Sequence, residues 1–523
     1  MTSPRPDIVL LVLDTQRADR LSCYGGPEQV SPHIDHLASD ATRFRYAFSA
    51  AQWTIPSHAS MFTGVYPSEH GTVQSFLAVP PDLPTLAERL SNGGYFTAAF
   101  CNNPLVGVIN NGLRRGFASF LNYSGLLTSR PNQAGAGVRS GLLDRYRQWF
   151  KNKLIAALSQ VQDAFARSEM LLSLSFSPLM VPLWQTALSF KGNTPKSLKN
   201  AAQLLIERRG VADDQPVFCF INVMGAHMPY RPPRRFVERF APHVLHNRAA
   251  QHDLRHFNSD IHGWYAPLGG EIDQERKATL DGMYNAEVAA QDEQVGAFLQ
   301  QLRERGRLDN TLLIVCSDHG DHLGEKQLVG HIFSTYNELV RVPLIIRPPG
   351  GSSTQSRNTT VEQFVSTRRI FHTVLEAAGL AAPDEEGLSL ARHLSGNTPD
   401  DPEMVFAEAI PSQQAVNMLR RRMPHLVSEY RCNENRSAVC HGRYKLIQVG
   451  DAYPELYDVI ADPAEQQDLA DIVPEQVEMM QDYLEQFANN ATNARYTNLD
   501  PATAGGYDDP QVRRRLRDLG YLE

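Results

Sequence analysis

Ile8-Val9-Leu10-Leu11-Val12-Leu13-Asp14-Thr15 is the stretch that decides the fold. Six apolar residues in a row, without polar alternation, read as a strand buried on both faces, as in a parallel sheet covered by helices. The run ends in a carboxylate, and α/β proteins place ligands at the carboxyl ends of their central strands. A helix-capping Asp14 is the plainer alternative. Comparable runs recur at 94–101, ending in Asn102-Asn103-Pro104, and at 216–222, leading into Gly225-Ala226-His227-Met228-Pro229-Tyr230. Two more lie at 311–316, ending in Ser317-Asp318-His319-Gly320-Asp321-His322, and at 340–346. Helices are expected near 31–40, 84–92 and 284–302. This alternation predicts an α/β fold, a large, mostly parallel sheet sandwiched by helices.

Two regions depart from the alternation. Residues 142–165 are amphipathic and 170–190 carry no charge, a length that would span a bilayer, but Pro178 and Pro182 interrupt it. The expectation is a helical insertion over about 125–195, folded over or beside the site, with membrane contact through 142–190 not favoured. The polar stretch 245–275 reads as a surface excursion. Beyond about 405, short strands at 443–448 and 455–458 precede a helix at 474–487 with Val477, Met480, Tyr483, Leu484 and Phe487 on one face. The expected division is therefore 1–405 and a smaller C-terminal α+β domain, 406–523.

Composition narrows the function. A net charge of −8 over 523 residues leaves no basic footprint for nucleic acid. With 42% hydrophobic and 21% charged residues the chain is not a disordered one. The six cysteines form no CxxC pair, and Cys101, Cys219 and Cys316 fall in the apolar runs. Reduced core thiols suit the cytoplasm, and no signal peptide is read before the first strand.

A second stretch carries chemistry: Trp53-Thr54-Ile55-Pro56-Ser57-His58-Ala59-Ser60-Met61-Phe62-Thr63-Gly64. Pro56 suits a first helical position and Gly64 a helix stop, which places Thr54 just ahead of the helix among unpaired N–H groups. Such an end favours anions, and a hydroxyl there is placed to attack phosphorus or sulfur. An ordinary Thr N-cap is the competing reading. Asp14, Asp318, His319 and Thr54 form a mixed nitrogen and oxygen set able to hold a divalent cation, which would activate the hydroxyl.

With these motifs quoted, the sequence resembles the sulfatase family of the alkaline phosphatase superfamily, nearly end to end apart from about 125–195. The resemblance rests on Leu13-Asp14-Thr15-Gln16-Arg17-Ala18-Asp19, the Pro56-Ser57 stretch with Thr63-Gly64, His227 to Tyr230, and Ser317-Asp318-His319-Gly320. Tyr444-Lys445-Leu446-Ile447, Glu455-Leu456-Tyr457-Asp458 and Asp462-Pro463 extend it into the tail. It implies one divalent metal ion (Mn, Zn, Ca or Mg) on Asp14, Thr54, Asp318 and His319. His227 and His331 would hold nonbridging oxygens or protonate the leaving group, and His58 and Asn103 would bind substrate. Asp321 and His322 are expected as supporting or surface groups, and Arg341 as a structural pairing residue.

The departures from the family pattern bear on the reaction. Formylglycine sulfatases carry Cys or Ser where this chain has Thr54, and Thr cannot become an aldehyde hydrate. His58 stands at an Arg position, Thr15 replaces an acidic or amide ligand, and Cys101-Asn102-Asn103 replaces a Lys- and His-bearing signature. The expected activity is hydrolysis of a phosphate-type ester, a phosphodiester or phosphonate monoester, through a phosphothreonine. A sulfuric ester hydrolase without formylglycine, a phosphoethanolamine-type transferase and an inactive binding protein are the alternatives. The expected partner is a small-molecule ester, with homo-oligomerisation left open.

Overall fold

The computed structural model describes residues 5–107, 109–124, 191–208, 210–259, 272–331, 333–350, 359–383, 385–395 and 404–492. The expected insertion at 142–190 lies outside them. In chain order the strands are β1 (Asp7–Leu13), β2 (Thr42–Phe48), β3 (Phe96–Cys101), β4 (Ser119–Asn122), β5 (Val217–Val223) and β6 (Thr311–Cys316). A short ribbon of β7 (His322–Leu323) and β8 (Val329–Gly330) follows, then β9 (Arg341–Val342), β10 (Leu344–Arg347) and β11 (Thr359–Ser366). Among the described residues the main sheet has nine strands in the order β11-β2-β10-β6-β1-β5-β3-β4, with β9 also on β2. Its pairings are parallel except those made by β9 and β10. The strand expected at 340–346 is therefore two, divided at Pro343, which has no N–H to give a ladder.

β1 is buried at every position, and its two faces serve two cores. Val9, Leu11 and Leu13 pack with α1 (Pro32–Ala38), α4 (Thr194–Glu207) and the 31-residue α5 (Gln274–Glu304). Ile8, Leu10 and Val12 pack with α2 (Thr54–Thr63), α3 (Leu86–Asn92) and α6 (Arg369–Ala377). Each fully buried aliphatic side chain contributes about 1.5–3 kcal/mol, so an unbroken apolar strand is stable only with both faces covered. α3 starts where its sequence says: the Thr85 hydroxyl accepts from Glu88 N at 3.2 Å while the Glu88 carboxylate accepts from Thr85 N at 2.8 Å. β2 and β11 escape a periodicity reading of the sequence. In β2, Arg43 and Arg45 interrupt the apolar residues, and Arg45 is exposed.

A separate antiparallel sheet follows, β12 (Val405–Ala409), β13 (Arg436–His441), β14 (Tyr444–Val449) and β15 (Glu455–Asp458), paired in that order. α7 (Pro474–Thr492) covers one side, with Val477, Met480 and Leu484 against Val439, Leu446 and Leu456. Ala407, Ala438, Ile447 and Tyr457 meet Tyr46, Phe48, Phe364, Leu339 and Val340 of the main body. In the 245–275 stretch, 248–259 is helical, so only part of the expected surface excursion is irregular among the described residues.

Candidate active site

β1 and β6 are parallel neighbours, so the residues just beyond them emerge at one edge of the sheet. Asp14 and Asp318 meet there, both fully buried. Thr15 ties them together. Its N–H donates to Asp318 Oδ1 at 3.1 Å and its hydroxyl donates to Asp14 Oδ1 at 2.9 Å. The Thr15 backbone has φ 64°, a left-handed conformation that costs a β-branched residue strain. The Tyr284 hydroxyl holds that turn, donating to Thr15 O at 2.6 Å.

Thr54 is the first residue of α2 and not the residue ahead of it, a correction to the reading of Pro56 as the first helical position. Trp53 is the extended N-cap, and Ser57 N donates to Trp53 O at 3.3 Å. Pro56 thus occupies the third position, where an N–H has no helical partner either. The Trp53 side chain makes no capping hydrogen bond to α2. The Thr54 hydroxyl lies 3.3 Å from His319 Nε2 and 3.4 Å from Asn103 Nδ2, and the plain N-cap alternative is not what the geometry shows.

Asp14 Oδ2 accepts from Asn103 Nδ2 at 2.6 Å and from Asn222 Nδ2 at 3.0 Å. Burial opposes ionisation of Asp14, but the His227 and His319 imidazoles and these amides outweigh it and hold the carboxyl below its ordinary range. Asp318 goes the other way, pushed up to about 7 by burial and then by the Asp14 charge. His319 donates Nδ1–H to Gly320 O at 2.8 Å, which leaves Nε2 as a lone pair 3.4 Å from Asp318 Oδ2. Among the described residues that oxygen has no hydrogen-bond partner. When Asp318 is ionised that oxygen and the Nε2 lone pair repel, and a proton or a metal cation between them relieves it; His58 Nδ1, 3.5 Å from the same oxygen, donates to Thr54 O instead. Ligand atoms of Asp14, Asp318 and His319 all lie within 4.8 Å of one another, so this donor set fits a divalent ion.

His58 is fully buried beneath the helix start. Its Nδ1 donates to Thr54 O at 2.8 Å and its Nε2 accepts from Asn222 Nδ2 at 3.4 Å, while Phe62 and Phe220 pack edge-on against the ring. With both nitrogens engaged, the ring braces the Thr54 turn. Asn103 bridges Asp14 and Thr54, and its own carbonyl oxygen accepts from Leu105 N at 2.8 Å.

Beside this cluster stand two more imidazoles. The His331 ring centroid is 4.5 Å from that of His319 and 5.2 Å from that of His227. His227 donates Nδ1–H to Met228 O, and burial, then the neighbouring His331, pushes it down to about 4. His331 is held well below its usual range by burial and by His319. Its Nδ1 lies 3.0 Å from Asp321 Oδ1. Asp321 and His322 are not surface groups: they are 0% and 2% exposed, and His322 Nε2 bonds the Ser334 hydroxyl at 2.7 Å. Arg341 donates to Arg45 O at 3.3 Å and stacks on Tyr46, a pairing role as expected.

Sequence reasoning missed Asn222 and left Thr15 unassigned. Asn222 sits inside β5 in an apolar run, and only its register, opposite Val12 and Cys101 on the neighbouring strands, brings it to Asp14. A lone Asn in a buried run is the signal that was there to read.

A sulfatase family model matches residues 6–380. An arylsulfatase of Clostridium perfringens is 25% identical over 399 residues, 74% of this chain and 78% of that protein. An N-acetylglucosamine-6-O-sulfatase of Bacteroides thetaiotaomicron is 24% identical over 539 residues, 95% of this chain and 88% of that one. The phosphonate monoester hydrolase of Agrobacterium radiobacter superposes with a TM-score of 0.62 at 22% identity, covering 96% of this chain and 97% of the other.

Proposed function

We propose, from the premise that this chain belongs to the sulfatase family of ester hydrolases, that it hydrolyses a phosphate-type ester, a phosphodiester or phosphonate monoester, with Thr54 as nucleophile. The observation that carries the reading is the Thr54 hydroxyl at the start of α2, 3.3 Å from His319 Nε2 beside two buried carboxylates. Sulfatase-family enzymes bind a divalent metal ion, and here Asp14, Asp318 and His319 would hold it with Thr54. Such an ion would acidify the hydroxyl and draw charge from the ester oxygen.

The chain's own residues do the rest. Asn103 and Asn222 fix Asp14, and Thr15 holds the spacing of the two carboxylates. Thr54 enters as an alkoxide whose proton has gone to solvent. Its oxygen bonds to phosphorus as the leaving alcohol departs, and water then attacks the phosphothreonine in line. His227 and His331 would hold the nonbridging oxygens or protonate the departing one. His58, read from sequence as a substrate ligand, is better supported as a brace under Thr54. A cytoplasmic location belongs to the same proposal, supported by six free cysteines.

Phosphorus is preferred over sulfur because of the nucleophile. A threonine sulfate has no elimination route to release sulfate, whereas a phosphothreonine is open to water. The competing reading, a sulfuric ester hydrolase, draws support from the relatives named sulfatases. Paired aryl phosphonate monoesters and aryl sulfates decide between them. We expect higher kcat/KM on the phosphonate, and a phosphothreonine at position 54 by mass spectrometry after quenching. A sulfate preference that vanishes in Thr54→Ala overturns the reading.

A further inference from the structure

We propose that Asp321 is a positioning residue: its carboxylate holds the His331 ring by Nδ1 so that Nε2 faces the oxygen leaving phosphorus. The inference rests on the hydrolase reading above and deepens it. Asp321 is fully buried, and burying a carboxylate without a cationic partner costs several kcal/mol. A guanidinium is at hand, yet Arg17 Nη1 donates to the backbone carbonyl of Asp321 at 3.1 Å and not to its carboxylate. Arg17 spends its charge on Asp19 and Glu325. The carboxylate oxygens go instead to two groups at the site, Oδ1 to His331 Nδ1 at 3.0 Å and Oδ2 to the Tyr230 hydroxyl at 3.1 Å.

Tyr230 and His227 share one loop, so a single carboxylate ties that loop to His331. Accepting at Nδ1 fixes the ring's tautomer and aims Nε2 away from Asp321. The ring packs on His319, whose Nε2 faces Thr54. The His331 side chain is 13% accessible, against none for His319 and Asp318. Of these three groups it is the one open to an incoming ester among the described residues, and it stacks on the histidine that faces Thr54. In the step, the Thr54 oxygen–phosphorus bond forms as the bond to the leaving oxygen breaks. That oxygen keeps the bonding pair and takes a proton from His331 Nε2, which the hydrogen-bonded Asp321–His331 pair gives up as a unit. The ring returns to the Nδ1–H form, still bonded to Asp321.

The test is the dependence of kcat/KM on the leaving group, measured on the full-length metal-loaded enzyme. Aryl phenylphosphonate monoesters spanning p-nitrophenol to phenol are the probes. A good leaving group needs no proton and a poor one does. Asp321→Asn is expected to lose less than about 5-fold with p-nitrophenol and about 100-fold with phenol. In a His331→Gln background the same change should add no further leaving-group dependence. Tyr230→Phe, which removes one hydroxyl, should give an intermediate split and serves where Asp321→Asn does not fold. Equal losses across the phenols, additive effects in the double variant, or loss of bound metal from Asp321→Asn each overturn the proposal. Running the same phenols as aryl sulfates keeps the two readings apart. A wild-type preference for sulfate removes the phosphate assignment, while a leaving-group split that persists on sulfate upholds the role of Asp321.

Discussion

Two of the places where this protein buries charge are finished differently. At the seam between the sheets, Lys445 and Glu465 are both fully buried and pair at 2.8 Å. Lys445 also donates to Asn337 Oδ1 at 3.0 Å, and Glu465 Oε2 accepts from Asn337 N at 2.7 Å. At the carboxyl edge of the main sheet, Asp14 and Asp318 crowd together, and Asp318 Oδ2, 3.4 Å from His319 Nε2 and 3.5 Å from His58 Nδ1, accepts no hydrogen bond among the described residues. At the seam a lysine of the chain itself neutralises the carboxylate; at the edge the paired carboxylates have no such lysine or arginine among the described residues and form a set able to hold a metal ion. Natural chains tolerate an incomplete cluster where it serves chemistry, and pair their buried charges where only docking is at stake.

The largest effects should come from the open cluster. Thr54→Ala is expected to lower kcat by roughly 10⁴-fold or more, and Asp318→Asn or His319→Ala to do the same while emptying the metal site by elemental analysis. In chelator, Asp318→Asn should melt no lower than wild type, since it relieves a carboxylate pair. Retention of metal with both ligands changed would break the comparison at its root. Next comes Asn222→Ala, which removes one of two amides on Asp14. A 10- to 100-fold loss of metal affinity, read by competition with a chelating dye, is expected from roughly that much reported for supporting contacts.

The seam should respond in the opposite currency. Lys445→Met strands Glu465 in the interior and is expected to cost about 3–5 kcal/mol in urea unfolding. The kcat of the folded fraction should stay within about 3-fold of wild type, given that catalytic geometry lies elsewhere. If turnover falls before stability does, the seam is part of the site. The smallest effect concerns Glu408, also at this seam, which accepts from Ser68 N at 2.9 Å and faces the charge of Glu69. Burial raises its carboxyl to about 7 from 4.5. The folded state therefore binds a proton that the unfolded chain has released. The stability Glu408 contributes is complete below pH 4.5 and is lost as pH rises through about 7. Glu408→Gln should remove about 1–3 kcal/mol of that decline, measured as unfolding free energy at pH 4.5 and 8.

Residue types and strand ends alone determined a good deal here. The apolar run before Asp14 requires two covered faces, the run before Asp318 requires the same, and a sheet of parallel strands must deliver both carboxylates to one edge. Thr54 could be proposed as the nucleophile because it precedes Pro56 and a glycine stop in a pattern shared with a family. Those are local consequences of hydrophobicity, helix-end chemistry and short motifs, which act within about ten residues. What the chain does not show locally is register and environment. Asn222 reaches Asp14 only through the pairing of β5 with β1, and of the two expectations for Asp321, supporting or surface, the fold selects the first by burying it against His331 and Tyr230. The helix start at Thr54, the division of 340–346 at Pro343, and the turning inward of His58 were likewise decided by packing. Desolvation and hydrogen-bond competition are properties of the assembled interior, so the chemistry of these groups was settled only when distant strands came together.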